Sequence, residues 1–182
     1  MKELSLNILD ISENSISAKA SSIDIIIEEK PEEDLLRIII KDNGSGMDEK
    51  FLKDVTDPFV TTRTTRKVGM GLSLFKDAAE VTGGKLEIQS KKGIGTTVTA
   101  DFGYSHIDRA PLGDIGETIS TLIQCHPDIE INYSHSYGDR KILFSTEELK
   151  SVLEGIPLNN PEVVLWTKEH LNEKIRDLYG GV

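Results

Sequence analysis

Apolar residues recur at helical spacing over residues 3–19. Leu4, Ile8 and Ile11 share a face with Ser15 and Ala18, and Leu6 and Leu9 lie alongside. The isoleucine-rich stretch Ser22 to Glu29 then predicts a strand, Lys30-Pro31-Glu32-Glu33-Asp34 a charged hairpin loop, and Leu35 to Lys41 the returning strand. Asp48 is placed to cap a short helix from Glu49 to Val55. Thr56 to Val68 has almost no apolar period and predicts a mobile loop. Gly69-Met70-Gly71 precedes a helix from Leu72 to Val81, which Gly83-Gly84 ends. Lys85 to Ser90 and Thr96 to Phe102 form a hairpin through Gly93 and Gly95. Beyond it the pattern gives a helix, Asp114 to Gln124, and strands Ile129 to Tyr133 and Lys141 to Phe144 around Gly138-Asp139. Ser145-Thr146-Glu147-Glu148 resembles a capping box before a helix to Leu153. A last helix, Pro161 to Leu178, has Val164, Leu165, Leu171, Ile175 and Leu178 as its expected inner face, with Trp166 beside them.

Composition narrows the function. The chain has 182 residues, 37% hydrophobic and 29% charged, as in a soluble globular protein. Its net charge is −10 and neither half is basic: residues 1–102 carry 14 Lys and Arg against 18 Asp and Glu, the remainder 7 against 13. No nucleic-acid partner is expected. A single cysteine, Cys125, excludes an intrachain disulfide framework and suits a reducing compartment. The sequence has no signal segment and no apolar run of membrane-spanning length, so a cytoplasmic protein without membrane contact is expected.

The candidate chemistry centres on Asp42-Asn43-Gly44-Ser45-Gly46-Met47. A strand that ends in Asp-Asn-Gly-x-Gly turns with two positions lacking Cβ, so a flat ligand can lie against backbone. An ionised Asp42 only accepts hydrogen bonds, which suits an exocyclic amine such as that of adenine. Asp10 and Asn14 lie one helical turn apart and share a face. Thr61, Thr62, Arg63, Thr64, Thr65, Arg66 and Lys67 bring hydroxyls and three cations to the loop, a composition suited to a phosphate chain. Glycines before a helix let its first amides meet an anion, which the helix dipole also favours.

These stretches carry a resemblance. Residues 4–102 resemble the ATP-binding domain of the GHKL superfamily: gyrase, the heat-shock chaperone ATPases, histidine kinases and mismatch-repair ATPases. Asp10-Ile11-Ser12-Glu13-Asn14-Ser15 resembles the helix whose asparagine binds Mg²⁺, and Asp42 to Met47 the adenine turn. Asp57-Pro58-Phe59 with Thr61-Thr62-Arg63, then Gly69-Met70-Gly71-Leu72-Ser73, resembles the lid and phosphate loop of histidine kinases. Gly95-Thr96-Thr97 resembles the strand whose threonine helps hold adenine. The resemblance implies an α+β fold, a two-layer α/β sandwich of Bergerat type over residues 1–103. An appended αββαα lobe, 104–182, either extends the sheet or packs beside it. It implies ATP and Mg²⁺ as cofactors. Asn14 ligates the metal, Asp42 and Thr96 take adenine with Gly44, Gly46 and Met47 in the turn, and Gly69 and Gly71, flanked by Met70 and Leu72, give amides to phosphates. Thr61 and Thr62 belong to the lid, and Arg63 or Lys67 reaches the terminal phosphate.

Two departures stand out. Hydrolysing members carry glutamate where this chain has Asp10, one methylene shorter, and the lid is glycine-poor at Arg66-Lys67-Val68. Asp10 remains the candidate catalytic carboxylate. Ser105-His106-Ile107-Asp108-Arg109-Ala110-Pro111-Leu112 echoes the histidine-kinase phosphoacceptor segment, but its acid comes one residue late and its order relative to the ATPase domain is reversed. Three functions follow: a stand-alone kinase that passes the γ-phosphate to a protein partner, an ATPase that drives a homodimer or a partner, and an ATP sensor without turnover.

Overall fold

The computed structural model describes residues 3–55 and 68–181. The alternation of isoleucine with polar residues produces its central feature. Strand β1, Ser22–Lys30, buries every second side chain, and Ile23, Ile25 and Ile27 lose all solvent contact. A single 3-10 turn, Pro31–Glu33, reverses the chain where a hairpin loop is expected, and Asp34 closes it at φ 52°. Strand β2, Leu35–Asp42, returns antiparallel, with Ile25 opposite Ile40 and Ile27 opposite Ile38.

Before β1 comes helix α1, Leu4–Ser17, whose Leu4, Ile8 and Ile11 face the sheet. After β2 come α2, Glu49–Asp54, capped by Asp48 accepting from the Phe51 amide at 2.8 Å, and α3, Val68–Glu80. Strands β3, Lys85–Lys91, and β4, Gly95–Gly103, form the expected hairpin. Then follow α4, Ile115–Cys125; β5, Glu130–Tyr137; β6, Arg140–Ser145; α5, Thr146–Leu153; and α6, Pro161–Leu178.

All six strands join one sheet in the order β3-β4-β2-β1-β5-β6. Its pairs are antiparallel except β1 with β5. Helices α3, α1, α4 and α6 pack side by side over one face, which gives the α+β two-layer sandwich. Phe75, Phe102, Ile119, Leu122 and Tyr133 complete the core between the layers. Burying each of these large side chains contributes roughly 1.5–3 kcal/mol. Glu13 of α1 and His126 after α4 lie 3.1 Å apart, a further tie between the two parts of the helix layer.

Three local expectations change. Helix α3 begins at Val68, so Gly69 and Gly71 lie within its first turn rather than before it. That turn is where backbone amides lack intrahelical acceptors, so glycine weakens the helix least there. Strands β5 and β6 run longer than their apolar runs, because His135 points inward on polar partners. On α6 the inner positions are Val163, Thr167, Leu171 and Leu178, while Leu165 and Trp166 are 56% and 48% exposed. Thr167 tolerates burial because its hydroxyl donates to the Val163 carbonyl at 2.8 Å. The Trp166 ring instead stacks on His170 at 4.5 Å on the outer face.

Candidate functional site

The site forms where β2 ends. Asp42 is the last residue of that strand, in register with Ile23 on one side and Thr96 on the other. A cavity of about 200 Å³ opens between this strand end and the helix layer. Ile11, Ala18, Met47, Phe51, Leu72 and Val98 give it apolar walls, and Asn14, Ser15, Asp42 and Thr96 supply polar groups. A slot of mainly apolar surface with a few fixed polar groups suits a planar heteroaromatic ring that carries an amine.

The Asp42 carboxylate is held from behind. Its Oδ1 accepts from the Gly44 amide at 2.8 Å, and its Oδ2 accepts from the Ser15 hydroxyl at 2.6 Å. Each carboxylate oxygen keeps a further acceptor position. Asn43 turns the other way: its Oδ1 takes the Ser21 and Ser22 amides at 2.9 and 3.0 Å, which pins the turn to the start of β1. Gly46 sits at φ 67°, and a methyl group there would meet the Lys91 carbonyl oxygen at 2.1 Å. The turn therefore needs glycine both for its backbone angle and for its contact with the β3–β4 hairpin.

Ser90 joins the two halves. It accepts from the Met47 amide at 2.8 Å, lies 2.7 Å from the Thr96 hydroxyl and donates to the Gly95 carbonyl at 3.1 Å. Ser15 and Asn43 stand in the quoted motifs without a role, and Ser90 is not among the residues the sequence nominates. A serine at Ser15, four residues after Ile11 on an otherwise apolar face, was the available signal; its Oγ also lies 3.3 Å from the Ile11 carbonyl. Ser90 left no signal, since its partners lie on other elements.

Asp10 and Asn14 meet α3. A methyl group at Gly71 would lie 3.5 Å from Asp10 Oδ2 and 3.8 Å from Asn14 Nδ2, so the first turn of α3 passes directly over both. Asn14 lines the cavity, and Leu72 is buried in its wall. Met70 points away, 54% exposed. Gly44 and Gly46 form the turn, Met47 lies on the wall, and Gly69 and Gly71 stand in the first turn of α3. Thr61, Thr62, Arg63 and Lys67, with the rest of residues 56–67 of the expected lid, lie outside the described residues.

His106 is elsewhere. It is exposed just beyond the far end of β4, and its Nδ1 accepts from the Asp108 amide at 3.1 Å. The length of β4 separates it from Thr96, roughly 25 Å at the rise of an extended strand.

The family model of histidine kinase-, DNA gyrase B- and HSP90-like ATPases matches residues 1–105. Sensor histidine kinase WalK of Bacillus subtilis is 34% identical over 93 residues, 48% of this chain and 15% of that protein. Sensor protein KdpD of Clostridium acetobutylicum is 33% identical over 96 residues, 50% of this chain and 10% of that protein. The chain thus spans a small part of the length of these curated relatives. Among solved structures, the Aquifex aeolicus MutL ATPase domain complexed with ADP superposes with a TM-score of 0.53 at 17% identity, over 85% of this chain and 68% of that one. At that identity the likeness concerns the fold.

Proposed function

The chain belongs to the histidine kinase-, DNA gyrase B- and HSP90-like ATPases, and from that premise we propose that it binds Mg-ATP and passes the γ-phosphate to a partner protein. One observation carries the nucleotide reading. Asp42 is fixed by Ser15 and Gly44 with acceptor capacity toward an apolar slot, the arrangement that selects a ring bearing an amine. Thr96, tied to Ser90, supports the same edge of the ring. The first-turn amides of α3 take phosphate oxygens.

The residues present fit Mg²⁺. That ion prefers hard oxygen ligands and commonly takes only one or two from protein, the rest from water and phosphate. Asn14 lines the cavity and offers one amide oxygen, while its Nδ2 is the atom nearest Gly71. The ion supplies charge neutralisation at the phosphates. Asp10, one turn before Asn14 and also beside Gly71, orients the attacking oxygen of the acceptor.

A partner acceptor is favoured over His106, which stands a strand length from the cavity. Sensor histidine kinases among the relatives support phosphotransfer. A second reading, binding without turnover, draws on Asp10 itself, which is shorter than the glutamate of hydrolysing members of the family.

Incubation with γ-labelled ATP, alone and with the soluble proteins of the source cell, tests these readings. Label on a second protein, lost in Asp42→Asn, is the expected result. Free labelled phosphate alone would favour an ATPase, and tight binding with no label moved would favour a sensor. Failure of calorimetry to detect any ATP binding overturns the proposal.

A further inference from the structure

Asn7 lies on the Asp10–Asn14 stripe of α1. The spacing i, i+3, i+7 puts all three residues on one flank of the helix, the flank that Gly71 of α3 crosses. Asn7 is 2% exposed, and its Nδ2 has no acceptor among the described residues. A buried amide donor without an acceptor is destabilising, and such groups are rare in folded proteins. Ser12 on the same helix is also buried and unpartnered, but at a different angle. Its hydroxyl can rotate onto the carbonyl one turn back, and its angle turns it away from Asp10 and Asn14.

We propose that Asn7 is a positioning residue for the phosphoryl-transfer carboxylate: its Nδ2 donates to Asp10 when Mg-nucleotide is bound. The inference rests on the reading of Asp10 given above. Residues three apart on a helix have Cβ atoms about 5–6 Å apart, within reach of an amide–carboxylate hydrogen bond after side-chain rotation. A carboxylate has about four acceptor positions, so Asp10 takes Asn7 in addition to its other partners. An aspartate here has one fewer rotatable bond than glutamate, and a donor at its base fixes which oxygen faces the acceptor substrate. The orphaned donor in α1 then has a use: it costs stability and serves orientation.

Two measurements on the full chain decide the matter. The first follows the Asn7 side-chain amide by nitrogen-edited proton NMR as Mg²⁺ and a non-hydrolysable ATP analogue are added. One Nδ2 proton should move downfield and exchange more slowly, and Asp10→Ala should abolish that change. A resonance that does not respond, or that responds equally in Asp10→Ala, overturns the proposal. The second uses Asn7→Leu, which removes the orphaned donor at similar volume. Turnover should fall about tenfold with KM within twofold and with an unchanged or higher Tm. Unchanged turnover, or a large fall in Tm, overturns the proposal. If the wild-type chain turns over no ATP, the reading of Asp10 fails by itself, and the amide resonance still decides whether Asn7 pairs with it.

Discussion

The central strands carry a carboxylate at each end, and the two are treated differently. Asp42 closes β2 half-buried, with Ser15 and Gly44 donating to it from behind and a cavity in front. Glu29, near the opposite end of β1, is 4% exposed. His135 Nε2 lies 2.6 Å from its Oε1, and the Tyr179 hydroxyl donates to the same oxygen. Tyr133 in turn sits 2.7 Å from His135 Nδ1. All four tyrosines of the chain, Tyr104, Tyr133, Tyr137 and Tyr179, gather at that end, with Arg109 over the Tyr104 ring. A carboxylate enclosed by donors holds structure together; one restrained on a single side is available to a ligand. The contrast also gives the later elements a role, since Glu29 comes from β1, His135 from β5 and Tyr179 from the end of α6.

The largest effect should separate the two ends outright. Glu29→Ala leaves His135 and Tyr179 without their acceptor inside the fold, and each orphaned group costs about 1–3 kcal/mol. Denaturant unfolding should show a loss of roughly 3 kcal/mol or more, while ATP affinity of the folded fraction stays within a few-fold. A loss under about 1 kcal/mol would mean that the network is not what ties α6 to the sheet.

Asp42→Asn should do the reverse. The amide oxygen can still take the Gly44 amide, and the Ser15 hydroxyl can accept from the new NH₂, so the turn keeps its bonds. Toward the cavity, however, the side chain now presents a donor where an amine needs an acceptor. ATP affinity by calorimetry should fall about a hundredfold or more, the size of a lost hydrogen bond to a charged group, with stability changed by less than about 1 kcal/mol. Equal affinity in the two proteins would remove Asp42 from the site.

The two ends also differ in how far the sequence revealed them. At the Asp42 end the residues that meet in the candidate site are local: a strand, then Asp and two glycines within five residues, and Asp10 and Asn14 one turn apart. Nearly all of that can be read from spacing. The tyrosine end joins residues 106 and 150 positions apart along the chain, and no periodicity reports such a pairing. The misplaced face of α6 has a different, local cause. Apolar count favours Leu165 and Trp166, but Thr167 goes inward because a hydroxyl bonded to its own helix no longer resists burial. Strands β5 and β6 could be recognised as strands, but the place of β5 beside β1 could not, because parallel pairing across α4 leaves no turn signal.

Asn14→Ala sharpens the ligand end further. On the proposed Mg²⁺ role of Asn14, an ion that needs nearly complete octahedral oxygen coordination would lose one protein ligand. Calorimetry should show Mg²⁺-dependent ATP binding weakened roughly tenfold, with binding in chelator little changed. Equal losses with and without Mg²⁺ would make Asn14 a wall residue of the cavity.

The smallest effect comes from alkali and belongs to the tyrosine end alone. Burial, with the Glu29 charge nearby, pushes the Tyr104 hydroxyl from its ordinary 10.0 up to about 12. Burial pushes Tyr133 up as well, and it does the same to Tyr179 together with the hydrogen bond to Glu29. A raised value means that the folded chain keeps a proton that the unfolded chain gives up. The corresponding stability is therefore fully present below pH 10 and is lost as pH rises through the folded values. Unfolding midpoints in urea should be flat from pH 8 to about 9.5 and decline above about 10. Tyr179→Phe should cost about 1 kcal/mol at pH 8, the net value of one hydrogen bond. It should also make the alkaline decline shallower, because one of the coupled protons is gone. ATP affinity should not change in that variant at pH 8, since Tyr179 touches only the Glu29 end. A decline of unchanged steepness would uncouple Tyr179 from the network, and a change in ATP affinity would show that the two ends of the sheet communicate.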